Sequence, residues 1–562
     1  MSDLNHDIMH DKNGLYFLPL GGSEQFGVNF NLYGYKGKWL AVDLGIGFAD
    51  DYFPGVDILC PDPSFIAERR KDLVGLVITH AHEDHIGAVA HLWPRLRCPL
   101  YCTAFTAAVL RRKFSEAPDC KGAKIHVISP EKPLKIGAFR LRFIHVSHSV
   151  PQTCAVVIET DAGRVVHSGD WNLDPAPVLD GPTDQDSFKA IGDKGVLAYI
   201  GDSTNAAVSG RSGSESDVRT GLESLFRRCE GRIAVTTFSS NIGRLYSIAR
   251  AAEAAGRSVA VVGRSMNNMI AAAQECGYLK GLRPFLQTEE MDGLPKDQQL
   301  YIVTGSQGEP RAALSRIARS ERSDIRFERG DMVVFSARSI PGNETAINHV
   351  KNNLVAAGVA VVAPEDTTEI IHVSGHPCRD EIVDMYQWLN PAIVVPVHGE
   401  RFQLEAQAEL ARKSQIKSVI VPSNGSLIRL AAEGAEIVDH VPVGILAMEN
   451  GRLVPADYPA LAGRRKLQYT GALHATVVLD SRGELACDPQ ISSIGLVDDK
   501  GDEGYKLEED MIGEIEDILA DMAREDMEDD AILHEEIRVG LRRYVSRLWR
   551  IKPVTTVHIV RL

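Results

Sequence analysis

A chain of 562 residues is too long for one hydrophobic core, so roughly two to four domains are expected. Its 44% hydrophobic content is ordinary for a globular protein, no apolar run approaches the roughly 20 residues that span a bilayer, and Met1 to Asn13 is polar and mixed in charge, so the expectation is a cytoplasmic protein with no membrane segment and no signal peptide. The formal charge of −15 argues against a nucleic-acid partner only until it is located: residues 498–536 hold 18 acidic and 3 basic side chains, which leaves 58 of each sign elsewhere, and a neutral body can carry a basic groove.

From Leu15 the pattern is strands and tight turns, with strands expected at Leu15 to Leu20, Val28 to Tyr33 and, after the turn Tyr35-Lys36-Gly37, Lys38 to Asp43. Asp43 ends such a strand, either as a turn-capping residue or as a carboxylate that orients a ligand histidine from behind. The run Leu73 to Ile78 reads as a strand buried on both faces, and it leads into Thr79-His80-Ala81-His82-Glu83-Asp84-His85, which packs four potential metal ligands into six positions. Helical spacing follows from Ile86 to Trp93, so the ligands sit on a strand-to-helix loop at the carboxyl edge of a sheet, where open α/β folds place their sites. Imidazoles and a carboxylate suit zinc, or manganese as a harder substitute. His80 and His82, two apart, can face one ion, whereas Asp84 and His85 point elsewhere and serve a second, roughly 3.5–4 Å from the first as in two-metal hydrolytic sites.

The nine cysteines are odd in number and scattered from Cys60 to Cys487, which argues against a disulfide framework, and the nearest pair, Cys98 and Cys102, reads as small core residues. Further strands then end in candidate ligands. Leu141 to Ser147 leads to His148, and Arg164 to Gly169 leads to Asp170, whose two oxygens can bridge two ions, while Thr160 to Gly163 forms a hairpin turn between them. His145 and His167 are expected to pack or hydrogen-bond within their strands. Val196 to Ile200 is another strand, leading into Gly201-Asp202-Ser203-Thr204-Asn205.

Between about 214 and 364 the period changes. Strands at Arg232 to Phe238, Ser258 to Val262, Leu300 to Thr304, Met332 to Ala337 and Val359 to Ala363 alternate with helices such as Arg244 to Ala255 and Asn343 to Ala357, a small parallel α/β domain in its own right. It lacks a dinucleotide fingerprint, and Gly305-Ser306-Gln307-Gly308 is too weak to imply a nucleotide. The ligand-bearing pattern resumes at His372-Val373-Ser374-Gly375-His376 and at the buried strand Ala392 to Val397, which ends in His398; a domain inserted within a domain explains the interruption. Residues 451–465, with Gly451, Pro455, Pro459 and Gly463, read as a linker. Strands at Ala475 to Leu479, Ile494 to Val497 and Val554 to Val560 then enclose acidic amphipathic helices in a small α+β domain, the acidic run reading as a solvated helical face.

Two segments suit an anion. Ser239, Ser240 and Asn241 lie where a strand ends and a helix begins, so their side chains and the helix amides either converge on a phosphate or simply cap the helix, and Ser374 with Gly375 forms a second donor loop.

Taken together, His80 to His85, His148, Asp170, Gly201 to Asn205, Thr237-Phe238-Ser239-Ser240-Asn241, Ile340-Pro341-Gly342-Asn343-Glu344, His372 to His376 and Pro396-Val397-His398-Gly399-Glu400 resemble the metallo-β-lactamase superfamily, its β-CASP branch, and most closely the bacterial ribonuclease J family, over nearly the whole chain. The resemblance implies an α/β fold: a metallo-β-lactamase αββα sandwich at 1–210 and 366–450, an inserted parallel α/β β-CASP domain at 211–365, the linker, and a C-terminal α+β domain at 466–562. It implies two divalent ions per chain, zinc foremost with manganese or magnesium as substitutes, one held by His80, His82 and His148, the other by Asp84, His85 and His398, with Asp170 bridging. It makes Asp84, Asp170, Asp202 and His376 the catalytic set, His376 assisting the leaving group or the phosphate, and assigns substrate phosphate to Ser240, Asn241 and the loop His372 to His376. Ala81 and Gly201 depart from the family's commoner glycine and serine without touching the chemistry.

The activity implied is a 5′-to-3′ exoribonuclease that prefers 5′-monophosphate RNA and also cuts internally, in RNA maturation and decay, as a homodimer or homotetramer alongside other RNA-decay proteins. Two alternatives stand beside it. A small-molecule hydrolase of the same superfamily needs no insert of about 150 residues, and a catalytically inactive RNA-binding scaffold would be expected to have lost ligands that this chain retains.

Overall fold

The computed structural model describes residue 9 and residues 11–322, 324–340, 342–497 and 502–562. Most of the polar amino-terminal stretch, Pro341 of the Ile340 to Glu344 motif and the first four residues of the acidic run lie outside the described residues. The chain forms two compact units, Met1–Phe48 with Leu59–Ile445, and Ala49–Ile58 with Leu446–Leu562. No helix among the described residues is long and apolar enough to cross a membrane.

The larger unit is built on two mixed sheets stacked face to face. One runs Gly434–His440, Ser426–Ala431, Leu15–Gly21, Phe30–Tyr35, Lys38–Val42, Leu73–Val77, Leu100–Cys102, Ile125–Val127; the other runs Ser418–Val419, Ile393–Val397, Ala198–Asp202, Gly163–His167, Cys154–Thr160, Phe139–His145, Leu134–Ile136. Side-chain alternation decides the layers. On Cys154–Thr160, Val156 and Ile158 join Phe17, Leu40 and Val77 between the sheets, while Ala155 and Val157 turn outward onto Phe188, Met385 and Leu389 of the covering helices Gln185–Gly192 and Arg379–Leu389. Strands buried on both faces are why Leu73–Val77 and Ile393–Val397 read as unbroken apolar runs.

Within this unit lies a five-stranded, wholly parallel sheet in the order Ser258–Val262, Gln299–Val303, Ile233–Thr236, Met332–Phe335, Ala360–Val362. It has its own core, in which Val303, Val333 and Phe335 meet Leu314, Ile347 and Leu354.

The smaller unit holds the sheet Gln490–Ile494, Ala472–Leu479, Val554–Arg561, covered on one face by helices Asp502–Asp521 and Asp530–Trp549. Leu507, Met511 and Ile515 meet Leu533, Ile537, Leu541 and Val545 at i, i+4 spacing, and acidic residues such as Glu508, Glu509, Glu516 and Asp517 face solvent.

Several local expectations are corrected. The second strand begins at Phe30 instead of Val28, because Gly27 and Val28 both take positive φ, 75° and 47°, and turn the chain before it can pair. The strand expected at Ile494 to Val497 is Gln490–Ile494. Residues 451–465 are not a bare linker: Arg452–Pro455 pairs with Ile445–Glu449 across a turn in which Asn450 and Gly451 have φ of 47° and 79°, and Pro459 opens the helix Pro459–Thr470. Glycine and proline there mark a hairpin turn and a helix start, roles whose composition matches that of a linker.

Candidate metal centre and active site

The candidate ligands collect at one edge because every strand that carries one ends there. Lys38–Val42 delivers Asp43, Leu73–Val77 delivers the histidine-rich run, Phe139–His145 leads to His148, Gly163–His167 to Asp170, Ala198–Asp202 ends in Asp202, and Ile393–Val397 in His398. The expectation of a loop for all four ligands near residue 80 needs correction, since Asp84 and His85 lie in the one-turn helix Glu83–Ile86.

Three imidazole nitrogens face one another in the first cluster: His80 Nε2 and His148 Nε2 each lie 3.0 Å from His82 Nδ1. The proton on each outer ring is accounted for elsewhere. His148 Nδ1 donates to the Gly375 carbonyl (2.7 Å), and His80 Nδ1 lies 3.0 Å from Thr79 Oγ1, whose own hydrogen goes to Asp43. His80 Nε2 and His148 Nε2 are therefore bare lone pairs. Burial, the largest cause, pulls the His82 pKa down to about 3 and that of His148 to about 4, so both stay neutral, as metal ligands must be. Asp170 Oδ2 closes this set at 3.5 Å from His80 Nε2 and 3.8 Å from His148 Nε2.

The second cluster shares that carboxylate. Asp170 Oδ1 is 3.2 Å from His85 Nε2, Asp84 Oδ2 is 3.0 Å from His398 Nε2, and within each set one ligand atom per residue lies within 4.8 Å of all the others. Burial opposes charge on His85 and His398, yet the Asp170 carboxylate and its acidic neighbours outweigh it and raise both pKa values well above the usual range. This cluster thus calls for positive charge. Both Asp170 oxygens are buried and, among the described residues, the imidazole nitrogens that face them are not aligned as hydrogen-bond donors, which fits a carboxylate placed between two cations, and a donor set of imidazoles and carboxylates suits zinc or manganese.

Supporting contacts fix these rings. Asp43 Oδ2 accepts from His85 Nδ1 (2.7 Å), Thr204 Oγ1 lies 2.9 Å from His398 Nδ1, and Asp43 and His398 both hold positive φ, 61° and 57°. Backbone strain at residues that carry chemistry is typical of functional sites. His376 stands outside these two sets and forms a third group with Asp170, Asp202 and His398, its Nδ1 2.8 Å from Asp202 Oδ2, and burial of its ring is outweighed by Asp202 and Asp170, which raise its pKa. His145 and His167 stay away, bonded to the Gly181 carbonyl and the Tyr33 hydroxyl.

One cavity is lined by His148, Ser149, Asn172, Asn241, Ser374 and Gly375, so the two expected phosphate segments meet. Asn241 Oδ1 nevertheless accepts from Arg244 N (2.7 Å) and caps its helix, as the simpler reading holds. Ser374 Oγ accepts from Asn205 Nδ2 (2.8 Å) and His376 N (3.1 Å), leaving its hydrogen to donate. The buried Arg244 ties this region together, pairing with Glu215 and donating to the Ser336 carbonyl and to His372 Nδ1, which makes His372 a neutral ring with its proton on Nε2. Val373 contributes its carbonyl to the same guanidinium. Ser240 is half-buried at the helix start.

Sequence reasoning missed Thr204 as a support of His398, Arg244, and Gly45. The last had a signal, a glycine two residues after a candidate acid. A Cβ on Gly45 would fall 1.5 Å from the Asp84 carbonyl oxygen. Gly45→Ala must displace the ligand turn, and at a cost of about 100-fold per ångström of misplacement hydrolysis should drop by that order while far-UV circular dichroism is retained; activity within twofold of the parent would refute this packing.

Four family models match the chain: the ribonuclease J β-CASP domain at residues 230–354, a β-lactamase superfamily domain at 54–182, a Zn-dependent metallo-hydrolase RNA specificity domain at 362–422 and the ribonuclease J C-terminal domain at 459–562. Ribonuclease J of Sinorhizobium meliloti is 42% identical over 99% of both chains. The chain belongs to the ribonuclease J family. Ribonuclease J of Corynebacterium glutamicum is 34% identical over 96% of this chain and 75% of its own length, and that of Synechocystis sp. 35% over 86% and 76%. A solved protein of unknown function from Enterococcus faecalis V583 superposes over 74% of this chain and 100% of its own with a TM-score of 0.53 at 16% identity, a likeness of fold alone.

Proposed function

We propose that this member of the ribonuclease J family is a two-metal ribonuclease that degrades RNA from the 5′ end, prefers a 5′ monophosphate and also cuts internally, in RNA maturation and decay. The observation that carries the reading is the pair of ligand sets sharing Asp170, with no position of either set lost. His80, His82 and His148 would hold one divalent ion and Asp84, His85 and His398 the other; zinc suits the imidazole-rich first set, and manganese or magnesium can replace it in the second. Bound there, the ions supply a hydroxide nucleophile near neutral pH and offset charge on the phosphate.

The chain's own groups do the rest. Asp202 holds His376 through Nδ1, so that Nε2 can give a proton to the departing 3′ oxygen, and products carry 3′ hydroxyl and 5′ phosphate ends. Asp43 and Thr204 keep His85 and His398 from rotating. No 2′ oxygen takes part, so the centre alone does not select RNA over DNA. Incubating purified protein with 5′-labelled RNA, beside a carboxylic ester, tests the reading: mononucleotides together with internal fragments are expected, whereas ester turnover without RNA cleavage would overturn it. Chelation should also lower Tm, because a ligand at about 1,000 times its Kd stabilises the native state by about 4 kcal/mol; an unchanged melting curve would count against resident ions.

We assign residues 1–210 and 366–450 to the metallo-β-lactamase domain, 211–365 to the β-CASP insert and 466–562 to the C-terminal domain, with 451–465 attached to the last by its hairpin and helix. The apolar positions of Ile512 to Leu519 and Ile532 to Leu548 mostly turn into that domain's own core. Self-association through this domain suits the exposed Ile494, Val560 and Leu562 along the sheet's outer strands. A chain ending at Tyr458 should sediment as a smaller assembly than the full chain; the same oligomeric state in both would exclude this domain.

A further inference from the structure

The insert carries an arginine that none of the roles above uses. Arg338 follows the strand Met332–Phe335, and its side chain is exposed. Among the described residues no carboxylate lies within ion-pair distance of it, whereas other guanidiniums of the insert and its surroundings are so paired, Arg244 with Glu215 among them. Among the described residues its one side-chain bond is from Nη1 to Asn205 Oδ1, at 3.1 Å, which leaves most of its five N–H donors without a partner there.

That bond points it at the centre. Asn205 Nδ2 donates to Ser374 Oγ (2.8 Å) and to the His376 carbonyl (3.2 Å), so the Arg338 guanidinium stands one amide away from the loop expected to hold phosphate. Its charge is felt there: burial first, then Arg244, then Arg338 push the His372 pKa well below its ordinary value. Topology agrees. Ile233–Thr236 and Met332–Phe335 are neighbours whose chains leave in opposite directions, one toward Ser258–Val262 and the other toward Ala360–Val362, and ligands of open parallel sheets bind outside the carboxyl ends of strands at such a switch point.

The position is also built. Gln307, buried in the Gly305 to Gly308 loop, donates from Nε2 to the Arg338 carbonyl (3.0 Å) and accepts at Oε1 from Ile340 N (2.8 Å) and Asn343 Nδ2 (3.2 Å). That loop is pressed onto the helix Glu344–Ala356, where a Cβ on Gly308 would fall 2.5 Å from the Ala346 carbonyl carbon. A buried glutamine whose carboxamide makes three bonds to one neighbouring loop is bracing what the loop carries.

We propose that Arg338 is a substrate-binding residue that grips a backbone phosphate of the RNA strand beside the His372 to His376 loop, with Asn205 and Gln307 as its positioning residues. The inference rests on the ribonuclease reading. A guanidinium presents paired donors to the two non-bridging phosphate oxygens, and each phosphate neutralised on a single strand releases counterion, adding about 0.7 to the slope of log Kd against log salt.

The test measures equilibrium binding of a single-stranded 5′-monophosphate RNA across a salt series, in full-length His82→Ala protein so that the RNA is not cut. Adding Arg338→Ala should weaken binding about tenfold at low salt and reduce the slope by about 0.7, while Arg338→Lys keeps the slope. A slope unchanged by Arg338→Ala, with or without a fall in Tm, would reduce Arg338 to a latch on Asn205 and overturn the proposal. Absence of RNA binding by the His82→Ala chain, or of RNA cleavage by the unsubstituted one, would overturn the ribonuclease reading itself.

Discussion

His82→Ala and Asp170→Ala should each reduce RNA hydrolysis by at least about 1,000-fold with the fold retained. His82 is the ring on which the first cluster converges, its Nδ1 3.0 Å from both His80 Nε2 and His148 Nε2, and Asp170 is the residue common to both clusters. Neither is part of the apolar core, so far-UV circular dichroism should match the parent, while loss of the Asp170 carboxylate that offsets charge on His85 and His398 lowers the Tm of the metal-free variant. Metal analysis supplies the second readout, with two ions per chain expected in the parent. Fully active protein holding fewer than one ion per chain would contradict the two-metal assignment, as would an active Asp170→Ala enzyme.

The second large effect concerns the 5′ end. Ser374→Ala should slow exonucleolytic removal of nucleotides from 5′-monophosphate RNA by about tenfold and leave internal cleavage of 5′-blocked RNA close to the parent rate. The Ser374 hydroxyl already accepts two hydrogen bonds, from Asn205 Nδ2 and His376 N, so its remaining capacity is to donate, and a terminal phosphate offers only acceptors at neutral pH. Asn241→Ala should act in the same direction, but the Asn241 carboxamide oxygen caps a helix, so this change also costs about 1 kcal/mol of stability and Ser374 is the cleaner probe. The cavity shared by Asn241 and Ser374 also holds Asp174, Asp180 and Glu215, whose carboxylates are engaged by the Ala176 amide, the Tyr278 hydroxyl and Arg244. A triphosphate would bring two more charged groups against them. Equal rates on monophosphate and triphosphate RNA, unaltered by Ser374→Ala, would mean that this pocket does not read the 5′ end.

Much of this was legible in the sequence, and for definite reasons. A strand buried on both faces is written as an unbroken apolar run, and the residue after such a strand is placed by the strand itself; hence His80, His82, Asp170 and His398 were readable one by one as strand-end ligands. The inserted sheet was legible because its period differs from that of its surroundings, and the run His80 to His85 because few structural roles need so many ligands so close together, whereas the full set of seven was implied by the family resemblance. Residues whose meaning depends on a distant partner were not readable. Gly451, Pro455 and Pro459 have the composition of a linker and form a hairpin turn and a helix start, since the choice between those is made by pairing with Ile445–Glu449. The apolar stripe at Leu533, Ile537 and Leu541 is the same pattern whether it covers its own sheet or a second chain, and only packing against Leu473 and Met511 decided it. Asp43 left two roles open until His85, 42 residues away, came within 2.7 Å, and Arg338 has no signal at all in local sequence. Local patterns determine strands, helices and the ends at which chemistry is offered; which of those ends meet, and which charged group is left without a carboxylate beside them, is decided by contacts between segments far apart in the chain, such as Asp84 with His398 and Arg338 with Asn205.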